Sequence, residues 1–388
     1  MKKIRILHII TNLALGGAQK NALYISANLN PEKYEKYFIS APSGFLYDDI
    51  AAQNKSINFQ FLKCLKRRIS PIQDVRAFFF LARYLKQNKI SIVHTHSSKA
   101  GIIGRWAAKF AQVPIIIHSV HGWSFNDYLA WPVKAGYVLL ERLTALVTTR
   151  FIAVSENDIN KGLANKIGTA EKYALIRYGI EINKFDQAAS QIPSREKPRV
   201  GMIACLKPQK KPLDFIKAAA IISQKNKNIE FICIGDGVLR PKLAKEIQRN
   251  NLNEQVKILG WRADIPELLA GINMLVLSSL WEGLPIAILE AMAAARPVIA
   301  YDTDGIIEAV QHGQTGYLVA QGDFIGLAEQ IQKLLDNPRL ANTLGQAGRK
   351  FLQESVFSAE RMMQSMEKLY AHLLIANGIS GKQEKDAR

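Results

Sequence analysis

The chain has 388 residues, 48% of them hydrophobic and 22% charged, and a formal net charge of +18. That length exceeds what one ordinary core organises, so two domains are expected, and the apolar fraction excludes a largely disordered chain. Three cysteines, Cys64, Cys205 and Cys233, lie far apart with no Cys-x-x-Cys pair, which speaks against a disulfide framework or a cysteine-held zinc and for reduced, partly buried thiols.

In chain order, the basic start with a short apolar run through Ile4–Ile10, broken by Arg5 and His8, reads as a first strand and not a signal peptide. Helical spacing follows over Gly17–Leu29, then a strand at Tyr37–Ser40 and a helix over Ile72–Gln87 with Pro71 near its start. Ser91–Thr95 reads as a strand, Lys99–Ala111 as a helix, and Pro114–Ser119 and Phe151–Val154 as strands. The stretch Tyr137–Val154 carries Glu141, Arg142 and Arg150 and so fails as a membrane span. Polar, proline-containing Gln187–Pro198 is the expected linker. A second series of strands then runs Arg199–Ala204, Ile229–Ile234, Val256–Leu259, Met274–Leu277, Pro297–Ala300 and Gly316–Val319. Strands alternating with helices argue for parallel sheets built from right-handed crossover units, with ligand crevices at the strand C-terminal ends. No period of 20–50 residues recurs, which excludes a solenoid.

Charge is uneven. Residues 1–190 hold 26 Lys+Arg against 12 Asp+Glu, a balance of +14; the remainder holds 25 against 21, a balance of +4. A basic N-terminal half points to an anionic partner there, and nucleic acid, anionic lipid headgroups and a phosphorylated acceptor all fit. Lys63, Lys66, Arg67 and Arg68 form the densest cluster, ahead of an apolar, basic-flanked stretch Val75–Lys89 that reads equally as a solvated helix face.

The segment Glu282–Glu290 follows a strand and leads into a helix expected over Pro285–Ala294, so Gly283 and Leu284 offer backbone N–H groups at a helix start, a ready anion site. Its two glutamates stand eight residues apart, which is a little over two helical turns and puts both carboxylates on one side. Read alone, the pair fits a clamp on ribose and sugar hydroxyls, a general acid and base, or two surface glutamates. Upstream, Lys207, Lys210 and Lys211 crowd a strand-to-helix turn and suit a diphosphate. Gly235-Asp-Gly237 and Leu259-Gly-Trp-Arg262 end two further strands. Asp302-Thr-Asp304 has the spacing of a metal motif but reads as acidic residues in a turn.

Taken together, these segments resemble the retaining glycosyltransferases of family four. The match rests on Glu282 to Glu290, Pro208-Gln-Lys210, Gly235-Asp-Gly237, Leu259-Gly-Trp261, His312 to Gly316 and the glycine-rich Gly16-Gly-Ala-Gln19. Thr95 to Gly101 and Val120 to Ser124 are similar to segments of enzymes that assemble bacterial surface polysaccharides. The resemblance implies an α/β GT-B fold, two Rossmann-like, doubly wound parallel-sheet domains facing across a cleft. The acceptor-side domain is expected over 1–187, with a last helix near 357–375 returning to it. The nucleotide-sugar domain is expected over 198–356, and 376–388 as a flexible tail.

By resemblance, Glu290 binds the ribose, Glu282 with Gly283, Leu284 and Pro285 holds the donor sugar, and Lys210 with Lys211 neutralises the diphosphate. Gly16, Gly17, Gly235 and Trp261 complete the donor site. His121 faces the anomeric centre, and His96 and Lys99 lie on the acceptor side. The implied activity moves a hexose or N-acetylhexosamine from a nucleoside-diphosphate sugar to a lipid-linked or saccharide acceptor in cell-surface polysaccharide biosynthesis. No metal or other cofactor is implied, and no nucleic-acid partner. A polyprenyl-diphosphate-linked acceptor would place the chain in the cytoplasm, peripheral to the anionic inner face of the cell membrane. Two departures stand out: Cys205 where the family usually has an arginine, and Asp304-Gly305 where it commonly has two glycines. The competing readings are an epimerase or hydrolase on the same fold, and a basic protein that binds anionic membranes or nucleic acid.

Overall fold

Short runs of β-branched and other apolar residues become buried parallel strands, and the amphipathic stretches between them become covering helices. The structure, a computed structural model, describes residues 3–46, 54–191 and 197–379. Residues 192–196 of the expected linker and 380–388 of the expected tail lie outside the described residues. The chain divides into two units, Met1–Arg177 with Arg361–Arg388, and Tyr178–Glu360. The division at Tyr178 lies ahead of the polar stretch Gln187–Pro198.

The first unit runs β1 (Ile4–Ile9), α1 (Gly17–Asn28), β2 (Tyr34–Ser40), β3 (Ile57–Phe61), α2 (Pro71–Gln87), β4 (Ile92–His96), α3 (Ser98–Phe110), β5 (Ile115–Val120), α4 (Trp131–Ala145), β6 (Arg150–Ala153), α5 (Glu156–Ala164) and β7 (Tyr173–Leu175). Its seven strands are parallel in the order β3-β2-β1-β4-β5-β6-β7. The sheet reverses direction between β1 and β4, which pair from Ile6 against Ile92 to Ile9 against Thr95. Sequence reading missed β3 and β7. Both are edge strands, where burial on one side only leaves the weakest apolar signal. It also began β2 late, at Tyr37, because Glu35 and Lys36 interrupt the apolar run; Arg5 on β1 pairs with Glu35 at 2.7 Å and extends the ladder.

The second unit runs α6 (Asp186–Ser190), β8 (Arg199–Ile203), α7 (Pro212–Lys225), β9 (Glu230–Ile234), α8 (Arg240–Arg249), β10 (Val256–Gly260), α9 (Ile265–Ala270), β11 (Met274–Leu277), α10 (Ile286–Ala293), β12 (Val298–Tyr301), α11 (Ile306–Ala309), β13 (Gly316–Val319), α12 (Phe324–Asp336) and α13 (Pro338–Glu354). Its six parallel strands lie in the order β10-β9-β8-β11-β12-β13, so direction reverses between β8 and β11. The last helix, α14 (Ala359–Ala376), belongs to the first unit from Arg361 onward. There Met362, Met366, Tyr370, Leu373 and Leu374 pack with Ile6, Ile92, Ile115 and Ile152 under one sheet face. Burying such side chains contributes about 1.5–3 kcal/mol each before ordering costs. Among the described residues, no helix is long and apolar enough to cross a membrane.

Candidate functional site

In an open parallel sheet the two loops that leave adjacent strands in opposite directions part at the reversal point and open a crevice. In the second unit these are the loops after β8 and β11, and they carry the lysines and the first glutamate of the expected donor site. The loops are laced together. Gln209 donates through Nε2 to the Trp281 carbonyl at 2.7 Å, Leu280 N–H to the Gln209 carbonyl at 2.8 Å, and Ser278 Oγ to the carbonyls of Lys210 and Lys211 at 3.0 and 2.9 Å. Lys210 Nζ forms an ion pair with Glu282 Oε1, with side-chain exposures of only 17% and 7%. The expected sugar ligand and the expected diphosphate ligand therefore hold each other in this structure.

Lys211 is differently employed. It adopts a left-handed conformation, φ 41°, where the chain turns into α7, and its Nζ lies 2.8 Å from Asp214 Oδ2. Asp214 is buried and also accepts from the Tyr301 hydroxyl at 2.8 Å. The Glu282 loop has a second support: its backbone N–H donates to Asp304 Oδ2 at 2.9 Å. Asp304 sits at φ 43°, a region that aspartate visits more readily than most side chains, so the departure from Gly-Gly here supplies an acceptor for the loop.

Gly283, Leu284 and Pro285 are buried, and Pro285 takes the capping position ahead of α10 rather than the first helical turn. Glu290 lies within α10 and is buried. Trp261, partly exposed, follows β10. Gly235 has a packing reason of its own: at φ 134°, a Cβ there would stand 2.0 Å from the Ala204 carbonyl oxygen.

In the first unit the reversal lies between β1 and β4. Gly16 precedes α1 and Gly17 opens it, with no acidic residue in the first turn. His96 ends β4 and is fully buried, while His121 follows β5 directly and is partly exposed. Gly122, at φ 97°, turns the chain away immediately after it. His96 Nδ1 and His121 Nε2 are 2.9 Å apart, so these two expected site residues touch. Lys99 lies in the first turn of α3 and is tied to Asp74 of α2 at 2.6 Å and to the Arg68 carbonyl.

Sequence reading missed His8, which joins His96 at 3.1 Å. A histidine among the apolar residues of β1 was its only signal, and there it is fully buried. It also missed the roles of Gln209, Ser278 and Asp214, whose partners are remote in sequence. His8, His94, His96 and His118 are all kept neutral: burial lowers each, His8 to about 3. Among the described residues, the one group of three metal-ligand side chains is His8, His94 and His96.

Comparison with known proteins fits this geometry. The family profile described as "Glycosyltransferase Family 4" matches residues 15–184, and "Glycosyl transferases group 1" matches residues 183–351. The UDP-Gal:alpha-D-GlcNAc-diphosphoundecaprenol alpha-1,3-galactosyltransferase of Escherichia coli is 32% identical over 384 residues, covering 96% of this chain and 98% of that one. The capsular polysaccharide biosynthesis glycosyltransferase CapM of Staphylococcus aureus is 26% identical, covering 79% and 83%. Among solved structures, HepE of Anabaena with UDP and glucose superposes with a TM-score of 0.82 at 19% identity, over 95% of this chain and all of that one, and shows the same GT-B fold. Two parallel-sheet units, basic and acidic side chains at the sheet reversal and a full-length relative agree, and the chain belongs to the family 4 glycosyltransferases.

Proposed function

We propose that this glycosyltransferase moves a hexose or N-acetylhexosamine, with retention, from a UDP-sugar to a sugar carried on polyprenyl diphosphate during surface-polysaccharide assembly. The observation that carries this reading is the end-to-end likeness to an enzyme whose donor is UDP-Gal and whose acceptor is GlcNAc-diphosphoundecaprenol. In this reading Glu290 accepts from the ribose hydroxyls, and Glu282 with the backbone of Gly283 and Leu284 holds the sugar. Breaking the anomeric C–O bond builds negative charge on the departing diphosphate, so a fixed cation strengthens its hold as the reaction proceeds. Lys210 is that cation, oriented by Glu282. Lys207, from the same turn as Lys210, stands in for the arginine that Cys205 replaces. His121 lies at the reacting sugar, and the diphosphate takes the acceptor proton. No metal is required: lysine and the N-terminus of α10 supply the positive field, and Asp304 is engaged by the Glu282 backbone.

The acceptor's lipid accounts for a surface on the first unit. Helix α2 exposes Ile72, Val75 and Phe79 at 70%, 55% and 60%, interleaved with exposed Arg76, Arg83 and Lys86. A groove of about 410 Å³, lined by Phe79, Arg83, Lys86 and Phe110, lies between the C-terminal ends of α2 and α3. Apolar side chains among cations suit an anionic bilayer surface. The test supplies a UDP-, GDP- or ADP-sugar with GlcNAc-diphosphopolyprenol and identifies products by mass spectrometry. The reading expects a glycosylated lipid and an equal amount of UDP. Nucleotide release without a glycosylated lipid, or a donor epimer, would replace it with hydrolysis or epimerisation. Binding to oligonucleotides and not to anionic vesicles would overturn the membrane assignment.

A further inference from the structure

Three histidines of the first unit stand in file. His8 on β1, His96 on β4 and His121 after β5 come from neighbouring strands. His8 Nδ1 is 3.1 Å from His96 Nε2, and His96 Nδ1 is 2.9 Å from His121 Nε2. Successive rings are near parallel, at 14° and 16°. The file ends inside the core: His8 Nε2 is buried and meets no hydrogen-bond partner among the described residues, and the His8 ring stacks on Phe38.

A neutral imidazole has one donor nitrogen and one acceptor. Burial keeps His8 and His96 neutral, and lowers His121 as well. A ring that accepts at Nε2 must then donate at Nδ1, so the three tautomers are not independent. Only two arrangements satisfy both hydrogen bonds, with every ring protonated at Nδ1 or every ring protonated at Nε2. The second buries the His8 Nε2–H with no acceptor. The first leaves only a lone pair unmatched, and buried orphan acceptors are the less rare of the two. We infer that His8 and His96 hold His121 in its Nδ1–H tautomer, with His96 as the positioning residue. The part of this inference that concerns catalysis rests on the placement of His121 at the reacting sugar. There the ring donates a hydrogen bond from Nδ1 and does not accept a proton at that atom.

His94 stands beside the file but does not join it. Its Nδ1 meets the Tyr370 hydroxyl at 2.6 Å and its Nε2 meets Ser119 Oγ at 2.7 Å. Ligating nitrogens of His8, His94 and His96 lie within 4.8 Å of one another, a spacing that suits a metal. Against that use, both His94 nitrogens are occupied, and His8 Nδ1 and His96 Nε2 are taken up by each other.

The test is a long-range proton–nitrogen correlation spectrum of the full chain labelled with 15N-histidine, together with steady-state kinetics of His96→Phe and His96→Gln. The wild type should show His8, His96 and His121 all protonated at Nδ1, the reverse of the form free histidine favours. His96→Phe should release His121 to the Nε2–H form and lower kcat by roughly tenfold or more, as wrong-tautomer variants of other enzymes do, with donor KM little changed. His96→Gln, which can still donate, should recover part of both. Finding Nε2–H on His96 and His121 in the wild type overturns the inference whether or not the variants fold. So does a His96→Phe protein whose His121 tautomer is unchanged. A switched tautomer with unchanged kcat supports the file and removes His121 from the reacting sugar.

Discussion

Replacing Lys210 with alanine has two consequences that the structure separates. The first is structural. Glu282 is 7% exposed and loses its cation, leaving a carboxylate shielded from water with less compensation. Stranding such a charge costs about 2 kcal/mol, below the roughly 3–5 kcal/mol of a fully buried pair because Lys210 keeps 17% exposure. The second is catalytic. Removing a preorganised cation from the departing diphosphate costs about 2–4 kcal/mol in the transition state, or about 30- to 1,000-fold in kcat/KM. The two separate in a cycle of Lys210→Ala, Glu282→Gln and the double variant. Urea unfolding should show the double variant regaining most of the stability that Lys210→Ala loses, because the stranded charge is gone. Initial rates of nucleotide release coupled to glycolipid formation should show no such recovery. Lys210→Ala turning over near the wild-type rate would refute the catalytic assignment and move the role to Lys207. A double variant no more stable than Lys210→Ala would refute the account of the ion pair.

Other consequences are equally direct. Transfer should persist in excess EDTA; complete loss restored by magnesium or manganese would overturn the metal-independent reading. Gly235→Ala should destabilise the second unit by about 3 kcal/mol, since a Cβ there meets the Ala204 carbonyl at 2.0 Å and φ is 134°; a wild-type urea midpoint would contradict this. Asp304→Ala should cost about 1–2 kcal/mol by removing the acceptor for Glu282 N–H at a left-handed position, whereas Asp304→Asn, which keeps an acceptor, should lie near the wild type in the same assay. Stability should fall as pH drops below the ordinary histidine value of 6.5 toward about 3. In that window the unfolded chain binds protons that buried His8 refuses, so each step down in pH favours unfolding. His94, His96 and His118, lowered in the same direction by burial and by one another or by Arg105, add to the slope. Equal unfolding free energies at neutral and mildly acidic pH would refute it.

The alternation of apolar runs and amphipathic stretches determined the fold class, because strand and helix periodicities are local properties of the chain. Gly283-Leu-Pro285 ahead of a helix and three lysines in one turn were legible for the same reason: turn chemistry needs only neighbours. Edge strands β3 and β7 were not legible, since their apolar signal is diluted by the side they expose. The partners of site residues were beyond any local rule. Lys210 meets Glu282 across 72 residues and His8 meets His96 across 88, because the strand order sets β8 beside β11 and β1 beside β4. The motif residues thus announced themselves in the sequence, while strand order decided that the two charges of the proposed donor site pair and that a buried histidine on β1 stands behind the one after β5.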